Sequence, residues 1–74
     1  MYRSLIIDDE KPVHRVIKAL GNWYQLDIAE PESAYDGKSG LSAMRELRPD
    51  IVFLDMKMPM MNGSEFLKTA YPEF

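Results

Sequence analysis

Cysteine is absent from this 74-residue chain, and histidine occurs once. Those two gaps exclude a disulfide framework and a Cys/His structural metal cluster, the usual staples of short chains. A chain of this size buries only about 60% of the surface its unfolded form exposes. Stability must therefore come from packing, from a partner or from further parts of the same domain. No apolar run approaches the roughly 18 residues needed to cross a bilayer. The opening "MYRSLIIDDE" turns acidic too soon to be a secretory signal. A cytoplasmic location without membrane association is the expectation. Positive charge is in the minority as well, with nine Lys and Arg against twelve Asp and Glu and a formal net charge of -3. Direct nucleic-acid binding needs a basic face that displaces counterions, so it is not expected of this segment.

What is present is an ordinary globular composition, 46% hydrophobic and 28% charged, with no repeat or low-complexity tract. "RSLIID" is short, β-branched and apolar, which predicts a buried strand from Arg3 to Ile7. "EKPVHRVIKALG" places Val13, Val16, Ile17 and Leu20 on one helical stripe. Pro12 suits the first turn of that helix, and Gly21 with Asn22 predicts a left-handed exit. His14 falls off the stripe and is expected at the solvated surface. Trp23 and Tyr24 are expected to seal the sheet edge. "YQLDIA" predicts a second strand, held to an edge by the nearby Pro31, which cannot donate to a ladder. "GKSGLSAMRELR" predicts a helix burying Leu41, Met44 and Leu47, weakened by its glycines and stopped by Pro49. The unbroken apolar run in "DIVFLD" predicts a third strand covered on both faces. "SEFLKTAY" predicts a last helix, capped by Asn62 or Ser64 and ended by Pro72.

Strict strand-helix alternation predicts an α/β fold with a parallel sheet. In such sheets ligands gather beyond the carboxyl ends of the strands, where strand order reverses. Asp8 and Asp9 end the first strand and Asp55 ends the third. Either motif alone is more often a solvated loop than a site. Together, on neighbouring strands, they would set three carboxylates in one crevice. Two unit charges about 4 Å apart repel by roughly 4 kcal/mol at an effective dielectric near 20. That is large against a small domain's stability of about 5–15 kcal/mol, so a cation is expected. Oxygen-only ligands favour Mg²⁺ or Mn²⁺ over zinc or copper. Carboxylates around such an ion suggest phosphoryl chemistry, with one aspartate as nucleophile.

"LIIDDE" and "DIVFLDMKMPMMNG" resemble the receiver domain of two-component response regulators. The resemblance implies a flavodoxin-like, doubly wound parallel sheet, incomplete here, with three β-α units in the order 2-1-3. Residues 1–74 would be the N-terminal part of a single receiver, without its fourth and fifth strand units. Asp55 would be the phosphoacceptor, taking its phosphoryl group from a phosphohistidine of a sensor histidine kinase. Asp9 would bind Mg²⁺ (or Mn²⁺) directly and Asp8 largely through water, joined by Asp55 and the backbone carbonyl of Lys57. The Lys57 side chain would lie near the phosphoryl group and tune autodephosphorylation, while Pro59 and Gly63 would shape the loop that aims Asp55. The module would be no enzyme beyond self-phosphorylation from small donors and autodephosphorylation. Similarity to receivers attached to AraC-type regions implies transcriptional regulation.

The departures bear on the same question. Receivers also use a Ser or Thr after the fourth strand and a Lys after the fifth, and Lys57, Lys68 and Thr69 stand in neither place. Around the second helix Ala34 and Gly37 match the family's "A-x-x-G-x-x-A-L", while Gly40 replaces its alanine. Met58 matches the family methionine, so Met56, Met58, Met60 and Met61 read as packing rather than as a metal site. Without the later units the third strand would be an open apolar edge. Residues 51–55 are therefore expected to pair with the chain's own C-terminal remainder or with a second copy. Two other functions stay open: a non-phosphorylatable pseudo-receiver or interaction fragment, and a haloacid dehalogenase-type phosphohydrolase. The latter needs a second Asp where Lys57 stands.

Overall fold

The order of elements in the computed structural model, which describes residues 1–57 and 63–70, alternates without exception. It runs β1 (Ser4–Ile7), α1 (Lys11–Leu20), β2 (Glu32–Ala34), α2 (Gly37–Leu47), β3 (Ile51–Leu54) and α3 (Gly63–Ala70). The three strands form one parallel sheet in the order β2-β1-β3. Leu5 pairs with Glu32 on one side and Val52 on the other, and Ile7 pairs with Ala34 and Leu54. This is the expected flavodoxin-like arrangement, with β1 central and β2 at an edge.

The core lies between the sheet and the α2–α3 layer. Leu5, Ile7, Ala34, Leu41, Phe66 and Ala70 are buried together, with Met44, Leu47, Val52 and Leu54 packed against them. Alternation along the strands sends Ile6, Ser33 and Phe53 to the other face. There Ser33 meets His14 of α1, and Phe53 meets the edge of the Trp23 ring at 5.9 Å. Gly40 allows α2 to approach closely. A Cβ at that position would stand 2.9 Å from Ile7 Cδ1 and 3.1 Å from Phe66 Cε2.

Several expectations change. The second strand is not "YQLDIA". Residues 23–27 form turns, Ile28 makes a single bridge to Tyr2, and β2 starts only after Pro31. Two residues lie between Tyr2 and Leu5, but three lie between their partners Ile28 and Glu32. The extra residue falls where Pro31 has no N–H to give, so the proline interrupts the pairing and ladder bonding resumes beyond it. Trp23 packs on the sheet face rather than its edge, donating its Nε1–H to the Lys18 carbonyl at 3.1 Å. Tyr24 is 84% exposed and seals nothing.

Helix α1 is rotated from its expected orientation. Val16 and Leu20 are 53% and 80% exposed, whereas His14 is 2% exposed. Its exit is also different. Gly21 has extended backbone (φ -75°, ψ 136°), so its role is to leave room for the Trp23 ring rather than to turn left-handed. The left-handed exit occurs instead at Arg48, φ 48°, which closes α2 with its N–H on the Met44 carbonyl before Pro49. Helix α3 already includes Ser64, so Ser64 is not its cap. Both faces of β3 carry cover, Val52 and Leu54 against the core and Phe53 against Trp23. Residues 51–54 are nevertheless only half-buried, because among the described residues only β1 flanks this strand. Met58, Pro59, Met60, Met61, Asn62 and Pro72 lie outside the described residues.

Candidate metal centre

Adjacent parallel strands end at the same level, and this brings the acidic groups together. The Asp55 N–H continues the β1–β3 pairing by donating to the Ile7 carbonyl at 2.9 Å. The Asp8 N–H does the same on the other flank, donating to the Ala34 carbonyl at 3.1 Å. Asp8, Asp9 and Asp55 each offer one carboxylate oxygen, and these three oxygens lie within 4.8 Å of one another. Asp8 and Asp55 are half-buried and Asp9 is exposed.

Each strand tip is locked by a short-range turn. Asp8 Oδ1 accepts from the Glu10 N–H at 2.9 Å, and Asp55 Oδ1 accepts from the Lys57 N–H at 3.0 Å. Each of these carboxylates spends one oxygen on the turn and keeps acceptor capacity for a ligand. Lys57 is thereby held beside Asp55, with its side chain exposed. Thr69 bonds back to the Glu65 carbonyl within its own helix, at 3.0 Å.

The donor set fits a hard divalent ion. A single Mg²⁺ with ligands at 2.0–2.1 Å can bridge oxygens up to about 4.2 Å apart. A spread within 4.8 Å therefore closes on an ion by small side-chain rotations or by one intervening water. At that separation each carboxylate pair repels by about 3 kcal/mol at an effective dielectric near 20, less where Asp9 faces solvent. A dication at their centre reverses the sign of that balance. Two hollows, of about 520 and 320 Å³, lie at the opposite end of the strands around Met1, Trp23 and Tyr24 and around Arg3, Ser4 and Glu30.

One polar residue beside the site departs from its surface expectation. His14 is buried, with Nε2 2.8 Å from the Asp8 carbonyl and Nδ1 2.8 Å from Ser33 Oγ. Helical periodicity places His14 outside because the stripe counts apolar residues alone, whereas this polar side chain is buried by its hydrogen-bond partners. The usable signal was its position one turn into a helix that starts just after Asp8.

A family model described as the response regulator receiver domain matches residues 4–70. Among curated relatives, a protein-glutamate methylesterase/protein-glutamine glutaminase of Bacillus licheniformis is 39% identical over 92% of this chain and 19% of its own length. The transcriptional regulatory protein BtsR of Shigella flexneri is 36% identical over 99% of this chain and 30% of its own. Among solved structures, a two-component transcriptional regulator AraC from Clostridium phytofermentans superposes with a TM-score of 0.89 at 28% identity, covering 100% of this chain and 60% of that one. The response regulator domain of Thermotoga maritima CheB gives 0.85 at 32% identity, covering 97% and 53%. The chain thus spans a fifth to a third of these curated relatives and just over half of these solved chains. With strand order, acidic trio and family match in agreement, the chain belongs to the receiver domains of two-component response regulators.

Proposed function

We propose that this chain works in the cytoplasm and that its Asp55 accepts a phosphoryl group from the phosphohistidine of a sensor histidine kinase. In this reading a carboxylate oxygen of Asp55 attacks phosphorus, a P–O bond forms, and the P–N bond to the kinase imidazole breaks with its electron pair leaving on nitrogen. Asp8, Asp9, Asp55 and the backbone carbonyl of Lys57 are the proposed ligands of Mg²⁺ (or Mn²⁺). When bound, that ion supplies charge neutralisation for the phosphoryl oxygens. The Lys57 N–H holds one Asp55 oxygen and leaves the other to react. Asp8 is held the same way by Glu10, so the choice of Asp55 as nucleophile rests on its place in the receiver motif. The observation that supports this reading most is the convergence of three carboxylate oxygens within 4.8 Å at the ends of adjacent strands.

Residues 1–74 are then the N-terminal three units of one receiver, and regulation of transcription through an effector region is the proposed output. The same reading has β3 pairing along residues 51–55 with further chain of the same domain or with a second copy. The test is phosphorylation of the full-length protein with acetyl phosphate and Mg²⁺, followed by intact mass. One added phosphoryl group is expected, absent without Mg²⁺ and absent in Asp55→Asn. No adduct under any of these conditions would return the non-phosphorylatable reading.

A further inference from the structure

His14 is the buried polar side chain most closely tied to the acidic loop. The Asp8 carbonyl can only accept, so the 2.8 Å contact assigns the hydrogen to Nε2. In the neutral ring Nδ1 then accepts from the Ser33 hydroxyl, 2.8 Å away on β2. The Tyr35 ring covers the imidazole at a centroid distance of 4.5 Å, and Lys11 Nζ lies 5.7 Å from the Tyr35 ring centroid. The consequence falls on Asp8, whose backbone is held from two directions. Its N–H is tied to β2 through the Ala34 carbonyl, and its own carbonyl is tied to α1 through His14. The remaining tie is the carboxylate's bond to the Glu10 N–H. Nothing in this arrangement requires the imidazole to touch an ion. Its effect passes through the peptide unit that joins Asp8 to Asp9.

We infer that His14 is a positioning residue for the metal centre: by clamping the Asp8 carbonyl to α1 and, through Ser33, to β2, it sets the aim of the Asp8 and Asp9 carboxylates. This rests on the metal-centre reading proposed above. Outer partners that orient ligands are worth about 10–100-fold in metal affinity when lost.

The test is calorimetric titration of the full-length protein with Mg²⁺ alone, for the wild type, His14→Gln and His14→Asn, with a urea unfolding midpoint for each. The glutamine amide nitrogen reaches the place of Nε2, whereas asparagine reaches only that of Nδ1. Both changes remove the ring from Tyr35, so packing loss is common to both. His14→Gln is expected to keep affinity within about threefold, and His14→Asn to lose about tenfold while still folded. Equal affinity in the two variants overturns the positioning role, whether both match the wild type or both fall together. No Mg²⁺ binding by the wild type overturns the metal-centre reading and this proposal with it. If His14→Asn does not fold, Ser33→Ala decides. Releasing the far side of the ring is expected to weaken Mg²⁺ binding about twofold to threefold, and unchanged affinity overturns the role.

Discussion

Asp36 shows how much a single exposed residue can contribute without any burial. It stands just before α2 in extended conformation (φ -155°, ψ 172°), and its Oδ1 accepts from the Ser39 N–H at 2.7 Å. That satisfies one of the donors that the first helical turn leaves without an intrahelical partner. The Ser39 backbone bond, then the Ser39 hydroxyl, hold the Asp36 carboxyl below its ordinary value of 3.8 against the opposing effect of burial, with a lesser contribution from the Lys38 charge. A lowered folded-state value means that the ionised form stabilises the fold, so this contribution is complete above the unfolded value. It is lost as pH falls from about 3.8 through the lower folded value. Replacing the cap, Asp36→Ala, is expected to cost about 1 kcal/mol at neutral pH. Urea denaturation at pH 7 and again below pH 3 checks this, and the difference between variant and wild type should shrink in acid.

At the scale of the elements, α2 is placed by what it lacks. Gly40 lets the helix backbone press onto Ile7 and Phe66, both almost fully buried. Gly40→Ala sets two effects against each other. Alanine favours a helix over glycine by about 1 kcal/mol, whereas overpacking a filled core costs about 1–3 kcal/mol. The crowding falls partly on the rigid Phe66 ring, so the steric cost wins. Net destabilisation of about 1 kcal/mol is expected from the urea midpoint, and a more stable variant would show that the α2–α3 layer yields easily. The junction after α2 is fastened elsewhere. Arg3 donates its N–H to Asp50 Oδ2 at 2.9 Å and its guanidinium to the Leu47 carbonyl at 3.1 Å, while the Asp50 N–H bonds the Arg3 carbonyl at 2.8 Å. These bonds fix where β3 begins, and therefore the level at which Asp55 ends it.

For the whole molecule the governing feature is a three-stranded parallel sheet whose third strand pairs on one side only among the described residues. An open strand with a run such as Ile51-Val52-Phe53-Leu54 presents unpaired backbone groups beside apolar side chains. The 74-residue chain by itself is expected to self-associate in sedimentation at micromolar concentration, and to lose that tendency when a charged residue replaces Phe53. A well-folded monomer would count against pairing of residues 51–55.

Much of this was already written in the residue order. Apolar runs ending in acid marked β1 and β3, and helical spacing marked α2 with Leu41, Met44 and Leu47 on its inner side. Two strands running parallel at neighbouring positions then bring Asp8, Asp9 and Asp55 to one edge. Those features depend on local periodicity and on chain direction, which a linear string contains. Others depend on which neighbour lies across space. Periodicity cannot say which sector of α1 faces the sheet, so Val16 and Leu20 went outside while His14 found two partners inside. Nor can propensity choose between "YQLDIA" and Glu32–Ala34 as the strand beside β1, since that depends on where the ladder resumes past Pro31. The sequence by itself determined the kinds of elements, their order and the acidic tips. Only the tertiary structure decided how α1 is turned and what holds the Asp8 carbonyl, because buried polar groups are placed by their hydrogen-bond partners rather than by hydrophobic pattern.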